Sequence, residues 1–276
     1  MKSINCKGNL INLSSPKVMG ILNITPDSFF DGGKFNNTTS IISQVEKMLS
    51  EGATFIDIGA YSSRPGAKHI TEEEELSRII PVVELLISEF PDILISIDTF
   101  RSAIAEQCIQ KGASIINDIS AGSMDKNMFS TIGKLQVPYI MMHMQGTPQN
   151  MQENPTYVAI VKDVLLYFSK KLTELRSLDV NDIITDVGFG FGKTLEHNYN
   201  LLANLELFKN LEAPTLVGLS RKSMLFKPLG ISAKEALNAT TIANTIALTK
   251  GVNILRVHDV KEAMEAIKIA ELLKNN

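Results

Sequence analysis

Short apolar runs alternate with longer amphipathic stretches along almost the whole chain. The short runs are rich in branched aliphatic residues on both faces, which is typical of buried parallel strands. They predict eight strands, at residues 18–22, 54–58, 93–97, 114–116, 138–142, 183–185, 215–217 and 253–257. The longer stretches repeat apolar residues at helical spacing, and several are closed by a glycine. They predict eight helices, at residues 38–51, 71–89, 103–111, 125–135, 155–178, 195–210, 233–250 and 260–273.

This order of elements favours one closed barrel. A helix follows each predicted strand, so the strands of the sheet run parallel. Eight such units in about 250 residues favour an α/β fold of the (β/α)8 TIM-barrel type, and an open doubly wound sheet is the structural alternative. Residues 2–16 precede the first unit, and their polar breaks predict a short N-terminal β-hairpin. Since no linker or shift in composition marks a second domain, we expect residues 1–276 to form a single barrel domain.

Composition narrows the possible partners and the compartment. The chain is 44% hydrophobic and 21% charged, which is typical of a globular protein. Its net charge of -3 provides no general basic field for nucleic acid, so an anionic ligand requires a local cluster of cations. Cys6 and Cys108 are too few for a disulfide framework and favour reduced thiols. The sequence shows neither a signal peptide nor an apolar run of membrane-spanning length, so we expect a cytoplasmic protein without a membrane partner.

Polar residues stand at the C-terminal ends of the predicted strands. They are Asn23, Asp57, Asp98, Asn117, His143, Asp186, Lys222, Arg256 and His258. Each has an ordinary structural explanation: Asp98 can cap a helix, Asp57 can bond to the backbone, and His143 has no second metal ligand nearby. In a barrel, however, all these ends converge on one face. Because burying so many polar groups without partners costs free energy, the set indicates a polar ligand in the barrel mouth.

Two loops carry aromatic residues that no helix or strand pattern explains. Residues 23–33 include Phe29 and Phe30, and residues 186–193 alternate glycines with Phe189 and Phe191. The second loop lacks the glycine spacing of a dinucleotide site, and a tight turn is its simplest explanation. Within these loops we expect residues 26–33 and 188–193 to be mobile lids over a ligand. The cations at residues 220–223 and at the eighth strand end indicate an anion of high charge density.

Eight motifs carry a family resemblance over essentially the whole chain. They are MGILNITPDSFFDGG (19–33), SSRPGA (62–67), SIDT (96–99), IND (116–118), MHMQGTPQNMQ (142–152), DVGFGFGK (186–193), GLSRKSM (218–224) and RVHD (256–259). In this order they resemble the dihydropteroate synthase family. The departures are mild: residues 59–63 read Gly-Ala-Tyr-Ser-Ser where the family commonly has Gly-Gly-Glu-Ser-Thr, and Val187 replaces a usual proline.

The resemblance implies a transferase reaction of folate biosynthesis. In it, 4-aminobenzoate attacks 6-hydroxymethyl-7,8-dihydropterin diphosphate, which yields 7,8-dihydropteroate and diphosphate. The implied cofactor is Mg²⁺ with Asn23 as its protein ligand, the implied partners are the two small-molecule substrates, and the implied assembly is a homodimer. Sulfonamides are the inhibitors that the resemblance implies, although the sequence does not fix sensitivity to them.

The resemblance and the chemistry of the ligands together assign roles to the candidate residues. We expect the pterin to contact Asp98, Asn117, Met141, Asp186, Phe189 and Lys222. Asn23, Arg256 and His258 are expected to hold the diphosphate. The 4-aminobenzoate slot is expected to comprise Ser63, Arg64, Pro65, Lys222 and Ser223. The catalytic contribution is assigned to Asp98, Lys222, Arg256 and His258, as electrostatic stabilisation of diphosphate departure.

Two other functions are compatible with parts of this pattern. A pterin-binding methyltransferase domain would share the barrel and the pterin carboxylates, but the cations Arg256 and His258 favour diphosphate chemistry. A folate-binding module without activity is the third possibility. Release of diphosphate from the mixed substrates distinguishes all three.

Overall fold

The computed structural model describes residues 3–24, 34–62 and 69–274. Its strands are β1 (Ser3–Cys6), β2 (Asn9–Asn12), β3 (Lys17–Asn23), β4 (Phe55–Gly59), β5 (Ile95–Asp98), β6 (Ile115–Asp118), β7 (Tyr139–Met142), β8 (Ile183–Asp186), β9 (Thr215–Val217) and β10 (Ile254–Val257). Its α-helices are α1 (Lys34–Ser50), α2 (Glu72–Glu89), α3 (Ser102–Gln110), α4 (Met128–Leu135), α5 (Ile160–Arg176), α6 (Leu195–Ala203), α7 (Ser223–Leu229), α8 (Leu237–Thr249) and α9 (Val260–Lys274). Two 3-10 helices lie at Leu205–Leu211 and Ala233–Glu235.

Strands β3 to β10 form a closed parallel barrel. The order around it is β10-β3-β4-β5-β6-β7-β8-β9, and each neighbouring pair is parallel. Closure comes from β10 pairing with β3, where Ile254 lies opposite Lys17 and Val257 opposite Gly20. The predicted (β/α)8 barrel is therefore confirmed, and the open doubly wound alternative is wrong.

The N-terminal hairpin closes one end of this barrel. β1 and β2 pair antiparallel, which confirms the predicted hairpin. Ile4, Cys6 and Leu13 are fully buried against residues at the start of the barrel strands, among them Met19 and Phe55. The apolar seal at this end leaves the opposite, C-terminal end of the strands as the mouth of the barrel.

The helices pack around the barrel through a second apolar layer. Residues such as Val18, Ile56 and Ile97 point outward from the strands and pack with buried helix residues such as Val45 and Val83. At the start of α2, Thr71 caps the helix, in agreement with the helix start predicted at residue 71. There the Thr71 side chain accepts a hydrogen bond from the Glu74 backbone N–H at 3.2 Å. None of the described helices has the combined length and apolar character that crossing a bilayer requires.

Three predicted helices differ from the observed ones. The helix predicted at 195–210 divides into α6 and the 3-10 helix Leu205–Leu211, because the chain leaves helical geometry at Asn204. The helix predicted at 233–250 likewise begins as a 3-10 turn before α8. The helix predicted at 155–178 begins only at Ile160. A further helix, α7, was not predicted, since it is short, contains Pro228 and ends at Gly230 in left-handed geometry.

Candidate functional site

The strand ends bring the predicted polar residues together at the mouth. Side chains two residues apart on a strand point to the same face. Met19, Phe55, Ile115, Ile184 and Ile254 fill the closed end of the barrel interior. Two or four positions further along the same strands stand Asn23, Asp57, Asn117, Asp186 and Arg256. These polar side chains therefore line the interior at the mouth, above the apolar plug.

A buried network centred on Arg256 connects four of the strands. Asp57, which is fully buried, accepts hydrogen bonds through Oδ2 from Arg256 Nε at 2.6 Å and from Asn117 Nδ2 at 3.1 Å. Arg256 Nη2 donates to Asp98 Oδ2 at 2.8 Å. Arg256 thus lies between two carboxylates inside the mouth. This position is deeper than the rim of the barrel, where a residue that contacts diphosphate would be expected. Asp57 was absent from the predicted binding set, although its position at a strand end pointed to it.

Burial shifts the pKa values of the ionisable side chains in this network. The pKa of Asp98 is raised to about 7, because burial and the Asp57 carboxylate raise it more than the Arg256 guanidinium lowers it. For Arg256, burial acts to lower the pKa, but attraction to Asp57 and Asp98 outweighs it, so the guanidinium stays charged. The network therefore holds a permanent cation beside a carboxyl group that titrates near neutral pH.

Asp186 and Lys222 form a second charged pair in the mouth. Burial raises the pKa of Asp186, and the Lys222 ammonium opposes that shift. Burial likewise lowers the pKa of Lys222 to about 8, against the attraction of Asp186. Asp186 Oδ1 accepts the Gly188 backbone N–H at 2.8 Å. The mouth thus presents a carboxylate, an ammonium and the Asn117 carboxamide, which together can bind a planar ligand with both donor and acceptor edges.

The glycine loop, residues 187–193, is bound in place by side chains. The Lys193 ammonium is buried beneath it and donates to the backbone carbonyls of Gly188 and Phe191, both at 3.0 Å. Gly188 has a φ of +68°, and a Cβ there would overlap the carbonyl oxygen of His143. Side chains thus hold the loop in a defined conformation in this structure, and its motion as a lid stays a prediction. His143 is a structural residue, since burial lowers its pKa to about 3 and its ring lies against Lys193.

Two predicted apolar contacts are displaced by one or two residues. Met141 points outward and packs with the layer between strands and helices, whereas Met142 points inward and packs near the mouth. Phe189 is likewise fully buried in the outer layer. Phe191 is the ring at the mouth, where Lys222 Nζ lies 4.6 Å from its centroid. Side chains two positions apart on a strand point to the same side. Because Ile140 points into the barrel, the sequence itself indicates that Met142 on β7 does so as well.

The remaining predicted residues lie around the rim or outside the described residues. His258 is exposed just after β10, with Nδ1 2.9 Å from Ser220 Oγ. Asn23 is half-buried at the end of β3, and Ser223 is exposed at the first position of α7. Ser63, Arg64, Pro65 and the predicted lid at residues 26–33 lie outside the described residues.

Comparison with known proteins agrees with this geometry. The profile of the family described as pterin binding enzyme matches residues 19–258. The dihydropteroate synthase of Haemophilus influenzae is 43% identical over 267 residues, covering 96% of both chains. The structure of the Yersinia pestis dihydropteroate synthase in a sulfonamide drug complex matches with a TM-score of 0.93 and 41% identity, covering 99% of this chain and 100% of that one.

A further solved structure extends the comparison to a small ligand. The Xanthomonas albilineans dihydropteroate synthase with 4-aminobenzoic acid matches with a TM-score of 0.92 and 32% identity, over 100% of this chain and 99% of that one. Both the family profile and the full-length relatives span the strands that build the mouth. The chain therefore belongs to the pterin-binding enzyme family and, within it, to the dihydropteroate synthases, which are transferases of folate synthesis.

Proposed function

We propose that this chain condenses 6-hydroxymethyl-7,8-dihydropterin diphosphate with 4-aminobenzoate, giving 7,8-dihydropteroate and diphosphate. The observation that carries the proposal is the convergence of Asp57, Asp98, Asn117, Asp186 and Arg256 on one barrel mouth, with Lys222 beside them. This set matches the flat donor–acceptor edges of a pterin and the negative charge of a diphosphate.

Asp186 is the proposed anchor of the pterin. The 2-amino group and N3–H of a pterin form a donor edge that a carboxylate accepts with both oxygens. Among the described residues, the one hydrogen bond to the Asp186 side chain is that from the Gly188 N–H to Oδ1, so acceptor capacity remains. Lys222, whose charge Asp186 stabilises, is placed to donate to the acceptor side of the ring. Asn117 completes the hydrogen bonding next to them.

The proposed chemistry is departure of diphosphate followed by attack of the amine. Loss of diphosphate from the dihydropterin methylene leaves a cation that the electron-rich ring stabilises. Asp98 provides a carboxylate next to Arg256 that stabilises this developing positive charge. Arg256 and His258 are proposed to contact the departing anion; for Arg256 this contact would use Nη1, which has no hydrogen-bond partner among the described residues. The amine proton is released after the new C–N bond forms.

Mg²⁺ is proposed as the cofactor, with Asn23 as its protein ligand. Within the described residues no group of three His, Cys, Asp or Glu side chains is arranged for a metal ion. Asn23 provides a neutral amide oxygen at the end of β3, and Mg²⁺ commonly takes one or two protein ligands plus phosphate oxygens and water. The donor set therefore fits a metal that arrives with the diphosphate substrate. When bound, Mg²⁺ would neutralise charge on the leaving diphosphate.

The 4-aminobenzoate slot is proposed at Ser63, Arg64, Pro65, Lys222 and Ser223. Arg64 is proposed to pair with the substrate carboxylate. We expect Arg64→Ala to raise the KM for 4-aminobenzoate well above its effect on pterin binding, because the proposed partner of Arg64 is the carboxylate of 4-aminobenzoate and not the pterin. Steady-state kinetics with each substrate varied in turn measures both effects, and equal losses for the two substrates would contradict the assignment.

Measurement of diphosphate release tests the whole reaction. The purified protein is mixed with dihydropterin diphosphate, 4-aminobenzoate and Mg²⁺, and released diphosphate is followed by an enzyme-coupled assay. We expect release only when both substrates are present. A methyltransferase domain or an inactive folate-binding module would release none, and release independent of 4-aminobenzoate would indicate hydrolysis instead.

We also propose that the protein is a cytoplasmic homodimer. Both described cysteines are buried and reduced. On the adjacent helices α8 and α9, the apolar side chains of Ile242, Ile246 and Ile269 are 54%, 40% and 56% exposed, and a second copy would cover them. Light scattering of the wild type and of Ile246→Asp tests this: we expect a dimer that the aspartate weakens, and a monomeric wild type would refute it.

A further inference from the structure

The carbonyl groups of the glycine loop accept hydrogen bonds from side chains of several different residues. Lys193 Nζ binds the carbonyls of Gly188 and Phe191 from the buried side. The Phe189 carbonyl accepts a hydrogen bond from Lys222 Nζ on the mouth side. The carbonyl of Gly190 accepts from Gln152 Nε2 at 2.6 Å, and that of Gly192 accepts from Tyr157 at 2.7 Å. Every carbonyl from residue 188 to residue 192 therefore has a defined donor.

Lys193 occupies the centre of this arrangement. Its ammonium also lies 3.1 Å from the His143 carbonyl and 2.9 Å from His143 Nδ1, which makes four acceptors around one nitrogen. A neutral amine has only two N–H groups and a lone pair that such acceptors repel, so this cage favours the charged form. Burial opposes the charge and lowers the pKa of Lys193 to about 7, while Asp186 acts to raise it.

We propose that Lys193 is a positioning residue that acts on the pterin site through Lys222. Its ammonium fixes the loop conformation in which the Phe189 carbonyl and the Phe191 ring both face the Lys222 ammonium. Gly188 and Gly190 flank Phe189 and both have positive φ, so the backbone on either side of Phe189 carries no side chain. Without the Lys193 charge, the carbonyls that it holds would turn outward to solvent, and Lys222 would lose its partners.

The inference rests on the proposed pterin-binding role of Lys222 and deepens it. A double-mutant cycle tests it, with the affinity for 6-hydroxymethyl-7,8-dihydropterin diphosphate measured by calorimetry in Lys193→Met, Lys222→Met and the double variant. We expect Lys193→Met to weaken binding about tenfold, the effect of losing one hydrogen bond to a charged group. The double variant should bind no more weakly than Lys222→Met alone, within about twofold, because Lys193 acts through Lys222.

Several outcomes would overturn the inference. Losses that multiply in the double variant would mean that Lys193 supports the site independently of Lys222, as a purely structural residue would. Unchanged affinity in Lys193→Met would remove its role altogether. Lys250→Met is the matched control, since it removes an ammonium whose partner is Glu206 on the surface, and its affinity should equal that of the wild type.

Folding is monitored in the same variants. If Lys193→Met does not fold, the cycle is run with Lys193→Gln, which keeps an N–H donor in the cavity and should lose less affinity than the methionine variant. Failure of both variants to fold would also overturn the inference, because Lys193 would then support the barrel as a whole. If the wild type binds no pterin, the proposed function fails, whereas intact wild-type binding with an unaffected Lys193→Met refutes only the inference.

Discussion

Asp57 and Asp98 hold the same arginine from different depths, and replacing each with asparagine should have unequal effects. The Asp57 side chain is 0% exposed and bonds to Arg256 Nε at 2.6 Å, whereas the Asp98 side chain is 19% exposed and bonds to Nη2 at 2.8 Å. Asp57 also accepts from Asn117 Nδ2. Asparagine keeps the shape of the carboxylate but removes its charge, so the comparison isolates the electrostatic contribution.

The magnitudes follow from the environment of each carboxylate. Hydrogen bonds to charged groups contribute about 1.5–3 kcal/mol, and a buried cation that loses its partner is destabilised further. Because Asp57→Asn retains an amide oxygen toward Arg256, we expect a loss of about 2 kcal/mol in the free energy of unfolding. The ionised form of Asp98 is destabilised by burial and by repulsion from Asp57, as the raised pKa of Asp98 indicates. Asp98→Asn relieves that repulsion and should cost less than about 1 kcal/mol.

Urea unfolding followed by far-UV circular dichroism at pH 8 measures both effects. That pH lies above the pKa of about 7 for Asp98, so most of the Asp98 carboxyl groups are ionised in the wild type. We expect Asp57→Asn to have the lower midpoint, with the denaturant slope unchanged. Equal losses, or a larger loss for Asp98→Asn, would refute the assignment of Asp57 as the principal partner of Arg256.

Three further predictions concern the loop, the pterin site and a helix cap. Gly188→Ala should lower the free energy of unfolding by several kcal/mol, since Gly188 has positive φ and an added Cβ would overlap the His143 carbonyl oxygen. Gly230 has a similar φ but an added Cβ there would meet no atom, so Gly230→Ala should cost about 1 kcal/mol in the same urea assay. Pterin affinity, measured by calorimetry from pH 7 to pH 9.5, should fall as the pH rises through about 8, because Lys222 then loses its proton. Thr71→Ala should lower the free energy of unfolding by about 1 kcal/mol through loss of the α2 cap, again measured with urea.

The strand ends could be predicted from the sequence because the apolar residues of the strands follow a simple periodicity. Short apolar runs identified the barrel strands, and the polar residue after each run identified the mouth. The same periodicity, applied strictly, also distinguishes Met142 from Met141, since Ile140 two positions earlier faces the barrel interior. Met141 was chosen because alternation within the apolar run was not followed to its end, and in the structure its side chain points away from the barrel interior.

The conformation of the glycine loop could not be predicted in the same way. Its conformation depends on three glycines with positive φ, and on a buried lysine that binds the backbone carbonyls of the loop. Neither feature leaves a spacing pattern, so the loop was expected to be mobile and Lys193 was passed over. The depth of Arg256 was missed for a related reason, because its partner Asp57 belongs to a distant strand that only barrel closure brings near.

Calorimetric titration of 6-hydroxymethyl-7,8-dihydropterin diphosphate into the wild type and Asp186→Asn tests the central claim most directly. Asparagine has nearly the same shape as aspartate but cannot accept the donor edge of the pterin with two charged oxygens. The account predicts binding to the wild type and at least about tenfold weaker binding to the variant. Equal affinity of the two proteins would contradict it, because the buried carboxylate at the end of β8 would then not be the pterin anchor.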